Sequence, residues 1–164
     1  PSPEKMYSIL IAKIKAKSFL IDEYRCNHYH GDLCLSNILI DKDHNFFLID
    51  PRGSDKKGRM PNIIYEFAKL RHSIISSYDY INMELNLIEI GSKFPAKNII
   101  SQNDSQKHLI DTYEKLIKKF NISEEIIKIV EASLFLSMIP LHLESKKKII
   151  SLYIQTFSIL SSLE

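Results

Sequence analysis

His30-Gly31-Asp32-Leu33-Cys34-Leu35-Ser36-Asn37, followed by Phe47-Leu48-Ile49-Asp50-Pro51-Arg52-Gly53, is the stretch that decides the fold. It sets an aspartate, an asparagine five residues later, and a second aspartate thirteen residues beyond that, at the end of an apolar run. The apolar runs Ile38-Leu39-Ile40 and Phe46-Phe47-Leu48-Ile49 are separated by the polar cluster Asp41-Lys42-Asp43-His44-Asn45, the pattern of a β-hairpin over 38–49. A hairpin returns the chain on itself, so Asp50 is expected beside Asn37. Phosphoryl transfer needs a positioned hydroxyl and cations that neutralise charge on the phosphate oxygens. A carboxylate on a tight loop can orient and deprotonate the hydroxyl. An amide oxygen and a second carboxylate, brought together by the hairpin, offer hard oxygen ligands to Mg²⁺.

Outward from this stretch the pattern is helical. Met6, Ile9, Leu10, Ile14, Phe19 and Leu20 recur at near-helical spacing and predict an amphipathic helix over 4–22, with Lys13, Lys15 and Lys17 largely outward. Residues 28–37 then read as a polar loop, the candidate catalytic loop, and 50–61, rich in Gly and Pro, as a loop after the hairpin and the candidate metal loop. Asn62 is placed to cap a helix running through Ile63, Ile64, Phe67, Leu70 and Ile74. Between Tyr78 and Ile100, the residues Ile81, Met83, Leu85 and Leu87 alternate like a strand, although neither end carries a clear turn. Asp104 to Phe120, a segment opened by Ser123 and ended or kinked at Pro140, and Lys146 to Leu160 complete a helical remainder over 62–164. The expectation is one mainly α domain over 1–164 with a small β-hairpin near its start, an α+β arrangement.

Composition fits that size and class. The chain has 164 residues, 45% apolar and 26% charged, the balance of a globular domain able to bury a core. A net charge of +2 gives no warrant for a nucleic-acid or membrane partner. No apolar run approaches the roughly 20 residues that cross a bilayer. Two cysteines, Cys26 and Cys34, are too few for a disulfide framework and point to a reducing, cytoplasmic setting. The chain starts at Pro1 rather than Met, which suggests a processed chain or a domain of a longer protein.

At these residues the sequence resembles the aminoglycoside phosphotransferase and choline kinase-like superfamily, relatives of protein kinases. Kinases carry H-R-D-x-x-x-x-N followed by D-F-G. Here His30-Gly31-Asp32 and Asn37 match the small-molecule version, and Asp50 stands at the first place of the second element. The resemblance implies a kinase-like C-lobe in which Asp32 is the catalytic base, His30 braces the loop, and Asn37 and Asp50 hold Mg²⁺ for ATP. Similarity is closer to phosphotransferase-like proteins of bacterial capsule and surface-polysaccharide gene clusters. It extends through Tyr65-Glu66-Phe67-Ala68-Lys69-Leu70-Arg71-His72-Ser73. That family usually has Asp where this chain has Glu66, with the carboxylate accepting backbone N–H bonds from the catalytic loop. Glu66 is therefore a candidate loop brace with a longer reach. Arg52 is a candidate contact to substrate or phosphate, with a structural ion pair as its alternative.

What the resemblance implies is ATP- and Mg²⁺-dependent transfer to a hydroxyl of a small molecule, a sugar or an amino alcohol. The N-terminal nucleotide-binding lobe that such enzymes use is not evident in this sequence. The four glycines all lie at or after Gly31, no Gly-rich phosphate loop or G-x-x-x-x-G-K-[ST] pattern occurs, and Lys13, Lys15 and Lys17 fall on a helical pattern. The chain is expected to work with such a lobe from the same parent protein and to be inactive alone. The competing reading is a non-catalytic binding or scaffolding module that lacks ATP binding.

Other residues carry rival readings. Cys26, His28, His30 and Cys34 are possible zinc ligands, but His30 belongs to the catalytic loop and Cys34 packs as a small hydrophobe. Asp41 to Asn45 begins like a calcium loop, but Phe46 and Arg52 stand where Gly and Glu are required. His72 reads as a satisfied buried histidine on a core helix. Lys56, Lys57 and Arg59, near the acceptor side, read as a solvated loop, and Lys146-Lys147-Lys148 as a solvated face.

Overall fold

A helix that is apolar on more than one side belongs in the middle of a packed array, and Glu124–Met138 is such a helix. In the computed structural model, which describes residues 1–26, 28–52, 62–91, 96–100 and 103–163, the chain runs α1 (Pro3–Glu23), a 3₁₀ turn (Leu35–Asn37), β1 (Ile38–Ile40) and β2 (Phe46–Leu48). It continues through α2 (Ile63–Ile74), α3 (Tyr78–Asn82), β3 (Leu87–Glu89), β4 (Lys97–Ile99) and α4 (Asp104–Phe120). Helix α5 (Glu124–Met138), a second 3₁₀ turn (Ile139–His142) and α6 (Lys146–Ser161) complete it. The molecule is mainly helical with two small antiparallel sheets of two strands each. No helix among the described residues is long and apolar enough to cross a membrane.

Helix α5 packs against α6, α2 and α1 and supplies both halves of the core. Its Ile129, Ala132 and Phe135 join Met6, Leu10, Ile81, Leu152, Ile159 and Leu160. Its Ile126, Ile127 and Leu134 join Ile64, Phe67, Ala68, Tyr113, Ile117 and Ile122. A polar bolt crosses the α2–α5 contact. The fully buried Glu131 receives Arg71 as an ion pair, and Ser76 Oγ donates to its Oε1 at 2.6 Å. Burial pushes the Glu131 carboxyl up, and the Arg71 guanidinium pulls against that shift.

The helix ends follow local chemistry. Asn62 Oδ1 accepts from Ile64 N at 2.9 Å and starts α2. Asn103 and Gln106 form a reciprocal capping box on α4, and Pro140 lies in the 3₁₀ turn that ends α5. Asp41 makes the hairpin turn, because its Oδ1 accepts from Asp43 N at 2.8 Å and from Asn45 N at 2.9 Å.

Four expectations need correction. The residues from 81 to 87 do not form one strand: Ile81 is the buried residue of α3, and β-structure begins at Leu87. The helical remainder is thereby interrupted by the ribbon β3–β4, paired Leu87 to Ile99 and Glu89 to Lys97. Phe19, expected on the apolar face of the first helix, is 63% exposed. The hairpin strands stop at Leu48, leaving Ile49 outside the strand. In the loop expected over 50–61, residues 53–61, with Lys56, Lys57 and Arg59, lie outside the described residues.

Candidate active site

The loop from Tyr29 to Asn37 is shaped by a residue that cannot carry a side chain. Gly31 has φ +81°, and a Cβ there would meet the Tyr29 ring at 3.1 Å and Arg52 Cβ at 3.2 Å. The chain leaving β2 folds back on this turn, with Arg52 N donating to His30 O at 2.8 Å. His30 closes the turn from within, its Nδ1 accepting from Asp32 N at 3.3 Å, and its buried Nε2 has no hydrogen-bond partner among the described residues.

The hairpin does what its spacing suggests. Ile38 pairs with Leu48, and Ile49 N donates to Asn37 O at 3.1 Å, so Asp50 is the residue next to the partner of Asn37. Asn37 Nδ2 donates to Asp32 O at 2.9 Å, which ties the asparagine to the Asp32 loop and leaves the amide oxygen as its acceptor. Asp50 is exposed and adopts φ +55°, the left-handed region that Asp tolerates at a cost. Among the described residues no group of three or more His, Cys, Asp or Glu is placed to hold a metal. An amide oxygen and one carboxylate still fit Mg²⁺, which usually keeps several waters and takes the remaining ligands from substrate phosphates.

One face of α2 holds the loop. Glu66 Oε1 accepts from Gly31 N at 2.8 Å, so the longer side chain reaches the position expected of a brace. Burial pushes the Glu66 carboxyl up, and the hydrogen bond from Gly31 pulls against it. One turn further on, Lys69 Nζ lies 2.6 Å from Asp32 Oδ1. Ser73 Oγ accepts from Leu35 N at 3.3 Å. Positions 66, 69 and 73 share a helix face, and they meet loop residues 31, 32 and 35 in order. The other Asp32 oxygen, Oδ2, is 3.0 Å from Arg52 Nε, so Arg52 forms an ion pair, and it does so at Asp32.

Comparison with family models, curated proteins and solved structures finds no match.

Asp32, His30, Asn37, Asp50, Arg52 and Glu66 thus gather around one loop and hairpin. Lys69 and Ser73 were not singled out by the sequence pattern. The signal was there in their spacing from Glu66, but it acquires meaning only once the loop is known to lie along that face. Cys34 is buried, with Sγ 3.2 Å from Ser36 Oγ. His72 is fully buried, but it is not satisfied: neither ring nitrogen has a hydrogen-bond partner among the described residues. Its ring instead stacks on Tyr78 and packs against Phe135, each at 4.3 Å between centroids. Burial, with the Lys69 charge adding to it, lowers its pKa to about 3.

Proposed function

We propose that this chain is the kinase-like catalytic and acceptor-binding half of a phosphotransferase, which moves a phosphoryl group from ATP to a hydroxyl of a small molecule. The observation that carries the reading is the Asp32 carboxylate on the Gly31 turn, with Asn37 tied to the same loop and Asp50 returned beside it by the hairpin. Asp32 orients the acceptor hydroxyl and takes its proton. His30 and Glu66 hold the loop so that this carboxylate does not wander. Asn37 and Asp50 hold Mg²⁺, which when bound supplies charge neutralisation on the phosphate oxygens.

The acceptor class is a sugar or an amino alcohol, with surface-polysaccharide synthesis as its setting; this part rests on the sequence resemblance. A nucleotide-binding lobe from the parent protein covers the hairpin, whose Leu39, Ile40, Phe46, Phe47 and Leu48 are all exposed. That strip starts beside Asn37 and ends beside Asp50, which continues the site toward the place where the nucleotide is needed.

A second reading, a binding module without catalysis, draws support from the two cations already seated on Asp32. Phosphorus NMR separates the two. The full protein with its nucleotide lobe, given ATP, Mg²⁺ and a panel of sugars and amino alcohols, is expected to yield a phosphate monoester, and Asp50→Ala to abolish it. Acceptor binding with no ester from any member of the panel would favour the module.

A further inference from the structure

A general base has two oxygens and uses one. At Asp32 they are in unlike surroundings. Oδ1 is sealed from solvent and faces the Lys69 ammonium at 2.6 Å as an ion pair, with no hydrogen-bond partner among the described residues. Oδ2 faces Arg52, whose side chain is 67% exposed, whereas that of Lys69 is 10% exposed. Resting on the reading of Asp32 as the base, we propose that Lys69 is a positioning residue: it fixes the Asp32 carboxylate through Oδ1 and leaves Oδ2 as the oxygen that meets the acceptor, with Arg52 its displaceable partner.

Lysine is among the residues least often buried, and a buried ion pair is seldom a gain in stability over an apolar pair of the same volume. What such a pair does supply is geometry. The base of the Lys69 side chain is fixed, because α2 is capped by Asn62 and joined to the same loop by Glu66 and Ser73 on the same face. The ammonium therefore approaches Asp32 from the protein interior, along a line the helix sets. Among the described residues Arg52 has no such support on its solvent side, where its side chain is 67% exposed. A flexible, hydrated partner gives way to an incoming hydroxyl, which must come within about 2.6–3.2 Å of the oxygen that takes its proton. One anchored oxygen and one exchangeable oxygen are what a positioned base requires.

The direct readout is the Asp32 side-chain rotamer, from three-bond couplings in the isotopically labelled chain. The parent is expected to show a single χ1 rotamer. Lys69→Met, which keeps the length and removes the charge, is expected to average it; Lys69→Arg restores one rotamer, and Arg52→Ala leaves it single. A single rotamer in Lys69→Met, or averaging by Arg52→Ala alone, would overturn the proposal. Should Lys69→Met fail to fold, the Lys69 ammonium signal serves instead. It is expected to exchange slowly in the parent and at least about tenfold faster in Asp32→Asn, and equal exchange in both would overturn the proposal. With turnover in hand, Lys69→Met should lower kcat about a hundredfold while KM stays within about threefold. If the rotamer result holds and no acceptor is phosphorylated, the anchoring of Asp32 stands and the transferase reading fails.

Discussion

The two sides of the loop from Tyr29 to Asn37 are built in opposite ways. On the α2 side, polar and charged groups are buried and paired: Glu66 with Gly31, Lys69 with Asp32, Ser73 with Leu35. On the hairpin side, apolar groups are exposed: Phe46 is 70% and Leu48 57% open to solvent. Each is the reverse of the ordinary distribution, in which charge faces water and hydrocarbon does not. Buried polar groups that are paired specify one geometry, whereas an apolar strip facing outward specifies only that something of like character can cover it. The difference teaches that the α2 side of the loop is packed within this chain and the hairpin side is open.

If that contrast is right, substitutions on the two sides must differ in kind. The largest effect is expected behind α2, where Arg71→Ala leaves Glu131 buried without its cation and should cost about 3–5 kcal/mol in urea unfolding. A loss under about 1 kcal/mol would mean that α2 is not held as described.

Removing Glu66 strips the buried Gly31 N–H of its acceptor, so Glu66→Ala should cost about 2 kcal/mol and speed exchange of the Gly31 amide. Exchange unchanged at Gly31 would break the claim that this side chain braces the loop.

His72 gives a pH test of the same side. Its folded-state pKa, about 3, lies below the ordinary 6.5, so the unfolded chain binds the proton more readily. Stability from this residue is present above pH 6.5 and is lost as pH falls toward 3. Between pH 7 and pH 5 the loss should be about 2 kcal/mol, and His72→Phe, which keeps the packing against Tyr78 and Phe135, should remove that part of the slope. Equal slopes in both proteins would show that the histidine is protonated or solvated in the folded state.

The smallest effect belongs to the hairpin. Phe47→Ser should change stability by less than about 0.5 kcal/mol, because the ring is half exposed in the chain alone. A loss above about 2 kcal/mol would show that the strip is already covered, which would sharpen the contrast into a different one.

Much of this is legible in the sequence. Asn62 marks the start of α2, the boundaries of α4 are Asp104 and Phe120 as read, and the turn residues 41–45 define the hairpin. These features are local, set by caps, periodicity and turn chemistry. The ribbon β3–β4 was not legible, because it is held from outside: Asn98 Nδ2 donates to Ser151 O on α6 at 2.9 Å, and Asn86 Nδ2 to Ser151 Oγ at 2.9 Å. Lys69 escaped for the same reason. Nothing in Phe67-Ala68-Lys69-Leu70 says that its ammonium turns inward; only the approach of the loop makes burial of that charge tolerable.

The central claim is that Asp32 is the group that takes the acceptor's proton. The most direct measurement is kcat for Asp32→Asn in the full protein, with acceptor affinity measured alongside by calorimetry. The expected result is a fall of at least about a hundredfold in kcat with binding within about threefold of the parent. Unchanged kcat would contradict it, and would leave the loop, the hairpin and α2 as the frame of a binding module.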